Sequence, residues 1–78
     1  MFCKVVIRLY TVGRCKIRDW RLQFDMTQSD LANKSGVDRS NISKYEQEVS
    51  RPDLKNLKNI AAVFGCYMED LYEWKKDH

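Results

Sequence analysis

The stretch QSDLANKSGVDRSNISKYEQ, residues 28–47, decides the fold of this 78-residue chain. Its apolar side chains recur at helical spacing on both sides of a single glycine and predict two short helices that pack against each other. Ala32 is small enough to let the helices cross closely, and Gly36 can take the left-handed conformation that ends a helix and turns the chain. The inward positions of the pair are Leu31, Ala32, Val37, Ile42 and Tyr45.

Two helices joined by a short turn that contains glycine indicate a helix-turn-helix motif, whose second helix can lie in the major groove of DNA. Thr27 is expected to cap the first of the two, because Asp30 follows three residues later in a pattern close to a capping box. Asp38 is expected to cap the second, which spans residues 38–46.

Helical periodicity outside this stretch predicts three further helices. One spans residues 14–24, one runs from Pro52 to Gly65, and a short one begins near Glu69. The pattern therefore predicts an all-α domain of five helices joined by short loops. The aromatic side chains expected in its core are Trp20, Phe24, Tyr45, Phe64 and Trp74.

Residues 3–11 differ from the rest, since their apolar and polar side chains alternate and many are β-branched, which is typical of a strand. A lone strand in a helical chain has no hydrogen-bond partner. The segment is thus either an arm packed on the first helix or a strand that pairs with the same strand of a second copy. We favour the pairing, because it is a common way to build a two-fold dimer. The chain then divides into an N-terminal arm, 1–13, and a helix-turn-helix domain, 14–78.

The positive charge lies at one end of the chain. Residues 1–24 carry six basic groups and one acidic group, for a net charge of +5, whereas the remaining 54 residues carry −2, which leaves +3 overall. This distribution is compatible with binding to nucleic acid or another polyanion. A hydrophobic fraction of 44% excludes a disordered chain, and no apolar run approaches the roughly 18 residues of a membrane span. We expect a cytoplasmic protein.

Residues that carry catalysis or bind metal ions are scarce. The only histidine is His78, at a chain end that cannot hold a precise geometry. The three cysteines, Cys3, Cys15 and Cys66, have spacings that match no metal or redox motif, so they are expected to be free thiols, with Cys66 in the core. We therefore predict no enzymatic activity, no cofactor and no metal site.

The stretch from Ile17 to Trp74, about three quarters of the chain, resembles the Cro/C1-type helix-turn-helix family, also called the XRE family. The resemblance implies a five-helix, lambda-repressor-like DNA-binding domain that acts as a homodimer on a near-palindromic operator. The motifs that carry it, in order, are MTQSDLA (26–32), GVDRSNISKYE (36–46), RPDLKNLKNIAAVFG (51–65) and MEDLYEW (68–74).

The resemblance also implies roles for individual residues. Residues 38–46 correspond to the recognition helix, and Arg21 and Glu46 occupy the positions of a structural ion pair. Gln28 and Thr27 correspond to contacts with the DNA backbone. The outward side chains that would meet base edges or flanking phosphates are Arg39, Ser40, Asn41 and Lys44. Weaker candidates for phosphate contacts are Ser43, Gln47, Ser50 and Arg51.

Other features set this chain apart from the family pattern. Glu48 and Asp25 stand where the family usually has glycine, and Tyr67 stands where it usually has a serine cap. The basic cluster of Arg14, Lys16 and Arg18 is interpreted as solvated helix surface.

The resulting hypothesis is a dimeric, sequence-specific transcriptional regulator, most simply a repressor that occludes a promoter. A controller of a restriction–modification system and an antitoxin-type autoregulator are alternatives within DNA binding. A protein-interaction module that has lost DNA binding is the alternative from another class, and acidic or apolar side chains on the outer face of residues 38–46 would favour it.

Overall fold

The computed structural model describes residues 9–76 of the chain. Within that range, four α-helices follow a first strand, and a 3₁₀ turn leads into a second strand. The elements in chain order are β1 (Tyr10–Cys15), α1 (Ile17–Gln23), α2 (Gln28–Ser35), α3 (Arg39–Glu46), α4 (Leu54–Phe64), the 3₁₀ turn (Met68–Leu71) and β2 (Tyr72–Lys76).

The prediction of an all-α, five-helix domain is wrong, although the helix-turn-helix arrangement at its centre is present. The predicted fifth helix is a single 3₁₀ turn, after which Tyr72 is extended, with φ −136° and ψ 153°. The residues that follow form β2, where aromatic side chains suit a strand. The first helix begins at Ile17 rather than at residue 14, because residues 14 and 15 belong to β1.

The two strands form an antiparallel sheet that joins the two ends of the described chain. Val12 pairs with Trp74 and Cys15 with Tyr72, with an irregularity between these pairs. Just beyond β1, the Lys16 amide donates to the Leu71 carbonyl at 2.7 Å. Residues 10 and 11 therefore pair with a strand of their own chain. The expectation that this segment has no strand partner within the chain is wrong for these two residues. Residues 3–8 of the predicted strand lie outside the described range.

A single apolar core lies between the helices and the inner face of the sheet. Ile17, Leu31, Ile42, Ile60 and Leu71 are fully buried and come from five different elements. Burial of such side chains stabilises a domain by about 1.5–3 kcal/mol each, as an upper estimate.

Three expectations about the core are wrong. Trp74 and Phe24 are 46% and 44% exposed. The Phe24 ring, just after the end of α1, lies beside Trp20 and Phe64, with centroids 6.3 and 5.4 Å away, and its outer side is exposed to solvent. Cys15 rather than Cys66 is the more deeply buried thiol, since β1 packs it against the core.

The ends of α2 and α4 follow local chemistry. Thr27 and Asp30 form the expected capping box, and Gly36 takes the left-handed conformation at φ 77°. The Asp38 side chain makes no capping hydrogen bond, so that expectation is wrong. Asp25 and Glu48 also have positive φ, 58° and 61°. These are the two positions where the family usually has glycine, and each places a non-glycine residue in the left-handed region.

Candidate nucleic-acid interface

The contact between α2 and α3 determines which side chains point outward. Ile42 and Tyr45 of α3 and Val37 of the turn are buried, and Ala32 packs against the same core. The opposite side of α3 therefore faces solvent. Arg39, Ser40 and Lys44 are exposed on it, and Asn41 is half-buried.

The first residues of α2 and α3 lie beside each other. Arg39 shares a groove of about 480 Å³ with Thr27, Gln28 and Ser29. The structure thus brings the start of the predicted recognition helix next to the predicted phosphate contacts of α2. A ligand that lies across this groove can meet both elements at once.

An ion pair between Arg21 of α1 and Glu46 of α3 fixes the end of α3. The Arg21 Nε and Nη2 atoms donate to the two carboxylate oxygens of Glu46 at 2.9 and 3.0 Å, and Nη1 donates to the Met26 carbonyl at 2.9 Å. The two side chains are only 11% and 6% exposed. The carboxylate raises the pKa of the Arg21 guanidinium, mainly through these hydrogen bonds. A bidentate and largely buried ion pair of this kind fixes the orientation of α3 relative to α1.

Gln28 belongs to the same network. Its side-chain amide donates to Glu46 Oε1 at 3.1 Å, so the carboxylate accepts three hydrogen bonds in all. The amide group has a second N–H, which remains available to a ligand.

At the start of α2, the capping box occupies two backbone amides. The Thr27 amide donates to Asp30 Oδ2 at 3.0 Å, and the Asp30 amide donates to Thr27 Oγ1 at 3.1 Å. The hydrogen bonds from Thr27 hold the pKa of the Asp30 carboxyl below its usual range. The backbone amide of Thr27 is therefore occupied by its own capping box.

The segment after α3 carries the remaining candidates. Ser43 is half-buried and accepts a hydrogen bond from the Gln47 side-chain amide at 2.9 Å. Ser50 and Arg51 are exposed in the loop that leads to α4. A hydrogen bond of 3.0 Å from Asn56 Nδ2 to the Tyr45 hydroxyl ties α3 to α4 across this loop.

Among residues 9–76, no three His, Cys, Asp or Glu side chains are grouped so that they could hold a metal ion. None of the helices in the same range is long and apolar enough to cross a membrane.

Comparison with known proteins agrees with this geometry. The helix-turn-helix family profile matches residues 17–71. An uncharacterised HTH-type transcriptional regulator of Archaeoglobus fulgidus is 41% identical over 59 residues, which cover 76% of this chain and 84% of that protein. The transcriptional repressor RstR of the cryptic phage CTXphi of Vibrio cholerae is 32% identical over 56 residues, or 72% of this chain and 50% of RstR.

A solved structure has a similar fold. The P22 c2 repressor, crystallised with a synthetic operator, matches with a TM-score of 0.68 and 27% identity, over 72% of this chain and 85% of that one. The chain belongs to the Cro/C1-type helix-turn-helix family of transcriptional regulators.

Proposed function

We propose that the protein is a sequence-specific regulator that binds double-stranded DNA and represses transcription, with α3 in the major groove. The observation that carries the proposal is the outer face of α3, where polar and basic side chains project from a helix held rigidly by the Arg21–Glu46 pair. Two comparisons support the proposal of a DNA-binding repressor. One is the structural match to the P22 c2 repressor crystallised with a synthetic operator, and the other is the 32% sequence identity to the repressor RstR.

The chemistry of that face suits base edges. Arginine and lysine donate to guanine, and asparagine makes a two-pronged contact with adenine. Arg39, Asn41 and Lys44 would supply these contacts, and Ser40 would donate to or accept from a base of either kind. No acidic side chain lies on the exposed part of this face within α3, because Glu46 is turned inward toward Arg21. This argues against a module that has lost DNA binding.

Contacts to the DNA backbone would set the register of α3. Thr27 lies beside Arg39 at the first end of α3, and Gln28 also reaches Glu46 at the other end. Ser43 lies in the second half of α3, and Arg51 lies in the loop beyond it. Hydrogen bonds to phosphates position a protein on the duplex without reading sequence.

A homodimer on a near-palindromic operator completes the proposal. One α3 helix reads only a half-site, and two-fold proteins of this class read two half-sites about one helical turn apart. Residues 1–13 are proposed to contribute to the dimer. The exposed side chains of Leu9 and Tyr10 in this segment, and of Trp74 on the strand paired with β1, supply apolar surface. Such a regulator would act in the cytoplasm, where its operator is.

The proposal is tested by selecting bound duplexes from a random DNA pool at physiological salt and sequencing them. We expect enrichment of an inverted repeat whose half-site centres lie about one helical turn apart. Binding without enrichment of any sequence would contradict a sequence-specific regulator.

Asn41→Ala tests the base-reading role of α3 on the selected duplex. We expect the variant to lose roughly 1–3 kcal/mol of discrimination at one base-pair position and to keep its binding to random-sequence DNA. Equal weakening on every sequence, measured by fluorescence anisotropy, would contradict that role.

A further inference from the structure

A cleft of about 350 Å³ lies between the end of α2 and the second half of α4. Its lining residues are Lys34, Ser35, Asn59, Ala62 and Val63. None of them lines the groove that Arg39 shares with the start of α2. Lys34 lies in the last turn of α2, about 9 Å along the helix axis from Gln28. This α2–α4 cleft is therefore at the opposite end of α2 from the predicted phosphate contacts.

Three lysines surround the α2–α4 cleft. Lys34 lines it, and Lys55 and Lys58 are exposed on α4. Lys55 and Lys58 stand one helical turn before Asn59 and Ala62, so they share the side of α4 that borders the cleft. Among the residues that the structure describes, none of the three lysines takes part in an ion pair. Their positive charges are therefore available to a ligand.

The acidic residues nearest to these lysines in sequence are engaged in helix capping. Asp30 lies one turn before Lys34, and Asp53 lies two residues before Lys55. Each carboxylate accepts a hydrogen bond from a backbone amide, at 3.0 Å for Asp30 and 2.8 Å for Asp53. The helix dipole stabilises both carboxylates at the starts of α2 and α4. The surface around the cleft consequently remains positively charged.

The wall of the cleft supplies neutral hydrogen-bond donors and small apolar side chains. Ser35 is only 8% exposed, and its hydroxyl accepts a hydrogen bond from the Val37 amide at 3.2 Å, which leaves its own proton to donate to a ligand. Asn59 is half-buried and adds a side-chain amide. Ala62 is exposed and Val63 packs against the core, so a peptide can approach this wall closely.

We propose that the α2–α4 cleft binds a carboxylate side chain from an acidic segment of another protein. The Lys34 ammonium pairs with the carboxylate, and the Ser35 hydroxyl and the Asn59 amide donate hydrogen bonds to it. Lys55 and Lys58 attract the acidic residues that flank it. An acidic peptide suits the cleft better than a DNA phosphate, because part of the wall is apolar and the candidate DNA interface is at the other end of α2.

The inference goes beyond DNA binding and does not depend on it. A regulator bound to its operator through α3 would still expose the α2–α4 cleft to a partner. The acidic segment and the DNA would then occupy separate surfaces of the same domain.

The probe is a fluorescent peptide of alternating glutamate and alanine, and the same peptide with glutamine in place of glutamate is the control for charge. Anisotropy at low salt measures its affinity for the full chain. NMR of the ¹⁵N-labelled protein locates the contact. We expect the acidic peptide to shift the amide signals of Lys34, Ser35 and Asn59 more than those of α3. The glutamine peptide should leave all of them unchanged.

Two variants of the cleft are compared with a matched control. Lys34→Gln and Lys75→Gln each remove one exposed positive charge, but Lys75 lies on β2, outside the cleft. We expect Lys34→Gln to weaken the acidic peptide about fivefold, the upper end for one exposed ion pair, and Lys75→Gln less than about twofold. Ser35→Ala keeps the charge and should weaken it about threefold, through one lost hydrogen bond. Thermal unfolding verifies that each variant is folded.

Four results would overturn the inference. Equal weakening by Lys34→Gln and Lys75→Gln would mean that the peptide responds to net charge alone. Amide shifts that are largest on α3 would mean that the peptide imitates DNA. Loss of affinity for the selected duplex in Lys34→Gln would assign the cleft to a DNA phosphate.

A lower sedimentation mass of Lys34→Gln without peptide would assign the cleft to a contact between copies of this chain. Titration of the wild type with the selected duplex judges the proposed DNA binding separately. Failure of the peptide to bind therefore leaves the proposed function standing.

Discussion

The helix-turn-helix unit, residues 28–46, and the two-stranded sheet hold this small protein together in different ways. The unit is built from neighbours in sequence, and a largely buried ion pair fixes its second helix to α1. The sheet joins residues 10–15 to residues 72–76, about sixty positions apart, and most of its side chains are exposed. Residues 17–71 match the family profile, so both strands lie outside the matched range.

The difference indicates that the two parts of the molecule have separate roles. The part shared with the family carries the candidate DNA-binding surface, and the sheet closes the domain by fastening its two ends. An isolated two-stranded sheet is marginally stable in water, so this one depends on Cys15 and Tyr72, which reach from it into the core. Perturbing the unit should therefore affect DNA binding and stability together. Perturbing the packing between the two strands, without changing the exposed apolar side chains proposed for the dimer, should affect stability alone.

The largest effect is expected from Glu46→Ala. Removing the carboxylate leaves the poorly exposed Arg21 guanidinium without its ionic partner and releases Gln28. The free energy of unfolding should fall by roughly 3 kcal/mol, the low end of the range for buried pairs. That corresponds to a thermal midpoint lowered by roughly 15 °C in a domain of this size.

The control is Asp19→Ala, which breaks the exposed Arg14–Asp19 pair at 2.7 Å and should leave the midpoint nearly unchanged. Calorimetry of both variants decides the matter. If the thermal midpoint falls equally in Glu46→Ala and Asp19→Ala, the buried Arg21–Glu46 pair does not fix α3.

A smaller effect is expected from Gly13→Ala in the sheet. A methyl group at Gly13 would lie 3.1 Å from the Glu73 carbonyl oxygen and 3.2 Å from the Glu73 Cβ, so the backbone of β2 would have to move. The free energy of unfolding should fall by about 1–2 kcal/mol, as for other overpacked sites.

Affinity for the selected duplex, measured well below the melting temperature, should stay at the wild-type value. Thr11→Ala, at an exposed site of the same strand, serves as the control. A Gly13→Ala variant that kept its stability and lost its affinity would show that the sheet takes part in DNA binding.

The smallest effect is expected at Glu48, the left-handed residue just after α3. Glu48→Gly should stabilise the fold by about 1 kcal/mol, because glycine adopts this φ without strain. It should also raise DNA affinity about threefold, since an acidic side chain is removed from a loop proposed to follow the DNA backbone.

Glu48→Gln separates the two contributions, because it removes the charge and keeps the strain. We expect it to raise affinity as Glu48→Gly does and to leave the unfolding free energy unchanged. Denaturant titration and anisotropy measure the two quantities. If Glu48→Gln binds as weakly as the wild type, the loop does not lie near the phosphates.

Local features of this fold could be predicted from the sequence because their causes are local. The Thr27–Asp30 capping box and the left-handed Gly36 depend on residues within one turn. The two helices of the central motif follow from the spacing of their apolar side chains. The family resemblance also singled out Asp25 and Glu48, which stand where the family usually has glycine, and both have positive φ in the structure.

The rest depends on partners that are distant in sequence. Leu71 and Trp74 have helical spacing, but β1 draws residues 72–76 into an extended strand, and Trp74 then becomes exposed. From the sequence, Arg18 is predicted to be a solvated cation on a helix. The packing of α1 against α3 places it among the residues that line a cleft. In both cases the deciding contact joins elements that sequence periodicity treats separately.

The most direct test of the account is a titration of ¹⁵N-labelled protein with the selected duplex, followed by NMR. We expect the largest changes in amide chemical shift on α3 and on Gln28, with smaller changes in β1 and β2. Saturation with the largest changes on the two strands and none on α3 would contradict the claim that the family-like part of the chain is the DNA-binding surface.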